Sequence, residues 1–329
     1  MKAVTYDRYG ETDVLDVRDI PVPSPRRGQV LVRVQAAALN PKDVLVRKGK
    51  FPLLAGFGFP KRVGYDWSGV VVDPGDALNA PPAGSRVFGM IQAWSGGACA
   101  EFVAAHLSEL SAIPDALSFE EGAAMPLASL TSLQALRDIA GVGPGTHVTI
   151  HGASGGVGLF AIQIAKHLGA HVTTTSSDEN RSLCLSLGAD EAMDYRTGTF
   201  LSPGRRCDAF FDVYGNQTFA RVRPLLAADG VYVSTVPKRH VLLASAATWL
   251  SRQRCRLVVV RSRSEDLRQI AAWAGAGTLR AVIDSRFALE DIRAAQARVE
   301  TRRARGKVVI QVGANPHRGQ AAAGMLTET

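Results

Sequence analysis

The sequence predicts an α/β protein with a β-rich first third followed by a doubly wound parallel sheet. Three observations carry that expectation. Residues 1–110 contain short β-branched runs separated by Pro and Gly clusters. From about residue 120, near-continuous apolar runs alternate with helical stretches, the pattern of strands buried on both faces. One strand–helix junction, HGASGGVGLFAIQIAKHLGA (151–170), carries a glycine-rich loop.

The elements follow in chain order. MKAVTYDRYG reads as a strand and a turn, and its lack of an apolar h-region predicts no secretory signal. VLVRVQAAAL (30–39) and WSGVVVD (67–73) read as strands. PPAGSRVFG followed by GGACAEFVAA suggests a tight turn and then a hairpin strand. In the second part, HVTIH (147–151), HVTTT (171–175), DAFFDV (208–213), VYVST (231–235) and RLVVV (256–260) read as strands. Between and after them, VGLFAIQIAKHL (157–168), ENRSLCLSL (179–187), NQTFARVRPLL (216–226) and SEDLRQIAAWA (264–274) read as helices. LEDIRAAQARVETRR gives a further helix and GKVVIQV (306–312) a final strand. Residues 313–329 lack apolar periodicity and are expected to be disordered.

Composition narrows the class. The chain has 329 residues, room for two domains with cores, and 46% hydrophobic residues. No apolar run is long enough to span a membrane, so no membrane partner is expected. The net charge of +8 is nearly all arginine, densest in RQRCRLVVVRSR (252–263). No helix-turn-helix, RNP or zinc-finger pattern accompanies it, so nucleic acid is not an expected partner. Cys99, Cys184, Cys207 and Cys255 form no CxxC pair, which fits reduced thiols in a cytoplasmic protein.

Ala153-Ser154-Gly155-Gly156-Val157-Gly158 matches A-x-G-x-x-G directly after an apolar strand and at the start of an amphipathic helix, the context a dinucleotide fingerprint requires. Gly155 lets the backbone approach a pyrophosphate, Gly158 lets helix and strand pack closely, and the helix N-terminus offers N–H groups to the phosphates. About 20 residues on, an NAD-preferring protein places an acid on the ribose hydroxyls. Here the strand end reads TTTSS, with no carboxylate at the expected place. Ser176, Ser177 and Arg181 are suited to a 2′-phosphate, which predicts NADPH. Asp178 and Glu179 are read as first-turn acids facing solvent.

The chain resembles the medium-chain dehydrogenase/reductases, most closely their zinc-independent quinone oxidoreductase branch and the related enoyl reductases. The resemblance covers about residues 1–312. It is carried by ALNPKDVLVRKGKF (38–51), VGYDWSGVV (63–71), GGACAEFV (96–103), EEGAAMPLASLTSLQAL (120–136), GASGGVG (152–158), LGADEAMDYR (187–196), FDVYGN (211–216) and RARGKVVIQV (303–312). It implies a GroES-like catalytic domain at 1–118, completed by 278–312, and a Rossmann cofactor domain at 119–277. Where zinc alcohol dehydrogenases of the superfamily carry catalytic ligands, this sequence has Asn40, Tyr65 and Leu127, so no metal is expected. The resemblance implies that Asn40 and Thr131 lie near the nicotinamide and that Ser154, Gly155, Gly156 and Val157 hold the pyrophosphate. It puts Tyr195 beside the phosphoribose and Ser234 and Thr235 along the nicotinamide channel. Asn180 stands where relatives often have a lysine.

A proton donor is harder to assign. Some enoyl reductase relatives have a tyrosine in a G-x-Y context; here the match is Gly49-Lys50-Phe51. Tyr65 and Asp43 are the candidates left, and Phe51, Phe57, Phe59 and Trp94 are candidate walls of an acceptor pocket. The expected function is NADPH-dependent hydride transfer to a quinone or conjugated enone. The alternatives are an enoyl reductase acting on a CoA- or carrier-linked intermediate, and an NADPH-binding sensor without turnover. An exposed edge strand at 257–261 predicts a homodimer.

Overall fold

The computed structural model describes residues 1–313 apart from Ala77 and Pro203; the expected disordered tail lies, beyond Gly313, outside the described residues. Six parallel strands form one sheet in the spatial order Glu191–Asp194, His171–Ser176, His147–His151, Cys207–Asp212, Leu226–Ser234 and Arg254–Leu257. The first strand in sequence, His147–His151, lies inside the sheet, and the order reverses on either side of it. Such a reversal opens a crevice at the carboxyl ends of the strands. Val148, Ile150, Val172, Phe210, Phe211, Val231 and Val233 are buried, which is why these short runs are apolar nearly throughout.

The remaining strands build two further sheets. Lys2–Tyr6 lies between Asp16–Asp19 and Lys61–Arg62. The larger sheet runs Ile283–Ala288, Lys307–Gln311, Gln29–Leu39, Asp66–Asp73, Arg86–Met90 and Leu110–Ala112, with Phe102–His106 also paired to Gln29–Leu39. The last strand thus returns to the side of Gln29–Leu39, 36 to 39 in register with 311 to 308. The strand in GGACAEFVAA does not form a hairpin with RVFGM; it pairs antiparallel with Gln29–Leu39.

Two further expectations need correction, and one element was not expected. The helix expected over 216–226 is only Phe219–Val222, followed by a tight turn, because Pro224 removes a backbone donor and Leu226 already starts a strand. The RLVVV strand is displaced to Arg254–Leu257, and Val258 to Val260 lie beyond its end. A helix over Arg239–Ala247 has no counterpart in the sequence reading, because it is apolar around most of its circumference and shows little helical periodicity.

The two main sheets meet at the glycine loop. Gly155 and Gly306 form a parallel bridge, and Gly306 adopts φ +101°, a conformation that side chains disfavour. The residue after it, Lys307, opens the last strand.

Candidate functional site

The glycine loop joins the strand His147–His151 to the helix Gly156–His167. A Cβ on Gly158 would lie 2.5 Å from the Ala153 carbonyl, so only glycine lets the helix pass this close to the strand. A Cβ on Gly155 would meet nothing nearer than 3.6 Å, which leaves the mouth of the loop open. No side chain caps the helix at Gly155, so its first N–H groups are free for an anion. Ser154 and Val157 are half-buried beside them, and the Val157 carbonyl accepts from Ser132 Oγ at 2.8 Å.

Asn180 completes this cradle, although the sequence reading counted it only as a missing lysine. Its Nδ2 donates to Ser177 Oγ at 2.9 Å and to Ser154 Oγ at 3.4 Å. Its Oδ1 is buried with no partner, an acceptor suited to a ribose hydroxyl. Free helix N–H groups, an open glycine mouth and this orphaned acceptor fit a dinucleotide.

Asp178 is exposed in the first turn and also pairs with Arg181. Arg181 Nη1 donates to Asp178 Oδ1 at 3.0 Å, and Arg181 Nε to the Ala192 carbonyl at 2.8 Å. The pair is exposed, 46% and 62% by side chain, so the ion pair itself is weak and a bound phosphate can compete for the guanidinium. Ser176 is buried and donates to the Ser177 carbonyl at 3.0 Å. Tyr195 stands half-exposed on a short turn. At the end of the next strands, Ser234 is buried against Val236, and Thr235 Oγ1 donates to the Val213 carbonyl at 2.9 Å.

Beside the cradle lies a buried polar cluster. Lys307 is 3% exposed by side chain and Asp66 0%, with Lys307 Nζ 2.9 Å from Asp66 Oδ2. The same ammonium donates to Asn40 Oδ1 at 2.5 Å. Asn40 Nδ2 donates to Asp66 Oδ2 at 3.0 Å, and the Leu127 N–H to Asp66 Oδ1 at 2.7 Å. The lysine stem runs past the glycine loop: a Cβ on Gly156 would lie 2.9 Å from Lys307 Cδ. Thr131, four residues along the helix Pro126–Leu133 from Leu127, donates to the Leu127 carbonyl at 2.7 Å. Among the described residues, no group of three His, Cys, Asp or Glu side chains is gathered to hold a metal.

Neither candidate proton donor has a free acidic group. Asp43 Oδ2 accepts from the Asn40 N–H and Oδ1 from the Gly64 N–H, both at 2.8 Å. Burial pushes its carboxyl up to about 6, but its oxygens are occupied in shaping the loop. Tyr65 donates to the Trp94 carbonyl at 2.9 Å, and burial raises its phenol far above the usual range. The unassigned neighbour Lys42 lies with Nζ 3.7 Å from the Tyr65 ring centre and 4.3 Å from that of Trp94. Burial lowers its ammonium to about 8, into the range useful for proton transfer. Of the four expected pocket aromatics, Phe51 and Trp94 meet at 5.3 Å. Phe59 instead packs edge-on against Tyr6 and Tyr9, and Phe57 is exposed.

A dinucleotide cradle at the sheet's reversal, closed by a β-rich second unit, defines a dinucleotide-dependent oxidoreductase. Residues 26–124 match the alcohol dehydrogenase GroES-like domain and residues 187–310 the zinc-binding dehydrogenase family model. The chain is 33% identical to the chloroplastic quinone-oxidoreductase QR1 of Triphysaria versicolor, over 94% of this chain and 98% of the relative. It is 35% identical to the 2-methylene-furan-3-one reductase of Solanum lycopersicum, over 94% and 79%. The quinone oxidoreductase of Coxiella burnetii superimposes with a TM-score of 0.88 at 33% identity, covering 95% and 99%. A solved NAD-dependent alcohol dehydrogenase gives 0.82 at 32%, covering 95% and 100%. The chain belongs to the medium-chain dehydrogenase/reductase family, with a GroES-like domain and a Rossmann-like parallel sheet, and its cofactor is a nicotinamide dinucleotide.

Removing one partner of a buried ion pair strands the other charge and costs about 3–5 kcal/mol. Lys307→Met should therefore lower unfolding stability by about that amount. Lys307→Met combined with Asp66→Asn should regain most of it, because the asparagine keeps an acceptor for Leu127 and carries no charge. Denaturant unfolding of the three proteins checks this, and equal losses in the single and double variants would contradict it.

Proposed function

We propose that this protein is an NADPH-dependent oxidoreductase that reduces a quinone or a conjugated enone without zinc. The observation that carries the reading is the Lys307 ammonium bonded to both Asn40 and Asp66 beside the glycine loop. Asn40 is one of three positions that would supply zinc ligands in metal-dependent relatives. Its amide oxygen is already taken by a cation, the Tyr65 hydroxyl is a donor to a carbonyl, and Leu127 has no ligand atom. Zinc requires thiolate, imidazole or carboxylate donors, so this set does not fit it. An acceptor that needs no Lewis acid suits such a site. The names of the quinone oxidoreductase and furanone reductase relatives support the same acceptor classes.

The nicotinamide, when bound, supplies the hydride. The N–H groups at Gly155, Gly156 and Val157, with Ser154, are assigned to the pyrophosphate. Asn180 and Tyr195 are assigned to the ribose, and Ser177 and Arg181 to the 2′-phosphate, with Ser176 shaping the strand end beneath them. Asn40, Thr131, Ser234 and Thr235 line the nicotinamide side. Asp43 is a positioning residue that fixes Asn40 and Gly64. Tyr65 and Trp94 hold Lys42, which we assign as the proton source for the reduced acceptor. The catalytic unit is 1–118 with 278–312, the cofactor unit 119–277. We also assign the chain to the cytoplasm, on its four buried free cysteines, and infer a homodimer through the edge at Arg254–Leu257 and the exposed Val259 that follows it.

The reaction class is tested by NADPH oxidation with a soluble quinone, a 2-alkenal and crotonyl-CoA. Turnover with the first two supports the reading; turnover with crotonyl-CoA alone would move it to CoA-linked enoyl reduction.

An Arg181 contact to a 2′-phosphate should contribute roughly 1.5–3 kcal/mol. NADPH should bind at least about tenfold tighter than NADH, and Arg181→Ala should remove most of that difference while leaving NADH nearly unchanged. Fluorescence titration of both cofactors decides it; equal affinities in the wild type would show that Asp178 keeps the arginine.

Lys42 donates only while protonated. Enone reduction should therefore be flat below pH about 8 and fall above it. Lys42→Met should abolish that limb and lower the enone rate about 10²-fold or more, with a smaller loss for quinones, whose reduced anions are delocalised. An unchanged pH profile in the variant would remove Lys42 from the chemistry.

A further inference from the structure

The order of the parallel sheet reverses between the strands His147–His151 and Cys207–Asp212, and their last residues, His151 and Asp212, stand in register. Thr175 and Ser234 continue the row on the outer neighbours, so four buried polar side chains cross the carboxyl ends of the central strands. Burying such groups costs free energy unless each is bonded, so their partners identify what the row holds in place.

Asp212 builds a loop. Its Oδ1 accepts from the Gly215 N–H at 2.7 Å, and its Oδ2 from the Gln217 N–H at 2.9 Å and the Tyr232 hydroxyl at 2.8 Å. His151 reaches across the reversal to the same loop. Its Nδ1 lies 2.6 Å from Thr175 Oγ1 and its Nε2 2.7 Å from Asn216 Oδ1. Burial lowers the proton affinity of the imidazole, so the ring is neutral and carries one proton. An amide oxygen can only accept, which assigns that proton to Nε2 and makes Nδ1 the acceptor of the Thr175 hydroxyl. Gln217 Nε2 approaches the same ring nitrogen at 3.3 Å but donates at 3.0 Å to Asn216 Oδ1. The Phe200 ring stacks on the imidazole at 5.2 Å and holds its plane.

The two ends of this bridge lie on opposite walls of the crevice. The Thr175 carbonyl accepts the Gly152 and Ala153 N–H groups at 3.1 and 3.0 Å, the root of the glycine loop. Asn216 is exposed beyond the reversal, and with its oxygen held, its Nδ2 has no partner among the described residues. In a dinucleotide crevice the adenosine half lies over the strand that follows the glycine helix, here His171–Ser176, and the other half crosses the reversal. The free amide donor stands on the nicotinamide side.

We propose that His151 is a positioning residue that holds Asn216 so that its Nδ2 donates to the nicotinamide half of the bound dinucleotide. This rests on the cofactor reading above. It adds a contact at the opposite end of the cofactor from Arg181.

Calorimetric titration tests it with two probes, NADPH and adenosine 2′,5′-bisphosphate, which lacks the nicotinamide half. One lost hydrogen bond should weaken NADPH roughly fivefold or more in His151→Leu and to the same extent in Asn216→Ala. Both variants should bind the bisphosphate within about twofold of the wild type. The double variant should lose no more than either single one, because both remove the same contact. His151→Gln places an amide donor where Nε2 stood and should recover NADPH binding to within about twofold of the wild type. Unchanged circular dichroism certifies the buried substitutions, and the exposed Asn216→Ala keeps the test open if His151→Leu folds poorly. Unchanged NADPH affinity in Asn216→Ala, an equal loss for the bisphosphate, or losses that add in the double variant would each overturn the proposal. A wild type that prefers NADH would correct the NADPH reading alone, and the same comparison then runs with NADH and AMP.

Discussion

The Asp66 carboxylate is the point on which the junction of the two sheets depends. It opens the strand Asp66–Asp73, accepts the N–H of Leu127 at the head of the helix Pro126–Leu133, and holds Asn40 and Lys307. Four separate segments therefore converge on one buried anion. A buried ion pair is costly to desolvate and is tolerated only when its remaining donors and acceptors are satisfied. Here both carboxylate oxygens are bonded, and the ammonium has two partners. Because the lysine also crosses the glycine loop, the cluster fixes where the cofactor cradle stands against the β-rich unit.

From Asp66 the order passes outward. Asn40 heads the helix Pro41–Arg47, and Asp43 within that helix ties Asn40 to Gly64 through two backbone bonds. Lys42, between them in sequence, is directed over the rings of Tyr65 and Trp94. The site thus holds two lysines of different character. Lys307 is locked in an ion pair and organises, while Lys42 lacks a hydrogen-bonded counter-charge and has a lowered proton affinity. A fixed cation and a poised acid are what the proposed reduction of a quinone or enone would use.

Much of this was legible in the sequence, and what was not has physical reasons. The alternating apolar strands gave the parallel sheet, and the glycines gave the cradle, because both signals are local. The Asp66–Lys307 pair joins residues 241 apart, and its members sat inside quoted motifs without being recognised as partners. The available signal was a charge at the mouth of each otherwise apolar strand, GYDWSGVV and GKVVIQV. Lys42 was passed over because a lysine beside a helix start is ordinarily solvated; the two aromatic rings that bury it come from distant segments. Arg181 was identified from its position, but its bond to Asp178 depended on side-chain direction that spacing alone does not set. Phe57 and Phe59 were expected as pocket walls, yet Phe57 is exposed and Phe59 packs against Tyr6 and Tyr9, partners that spacing near Phe51 does not reveal.

Under the proposed function, the buried Lys307–Asp66 pair stands at the heart of this dehydrogenase fold in place of a metal. The most direct test is elemental analysis of the purified protein together with its turnover on a soluble quinone before and after exhaustive chelation. The expected result is far less than one zinc per chain and an unchanged rate. About one tightly held zinc per chain, with turnover lost on its removal and restored on its return, would contradict it.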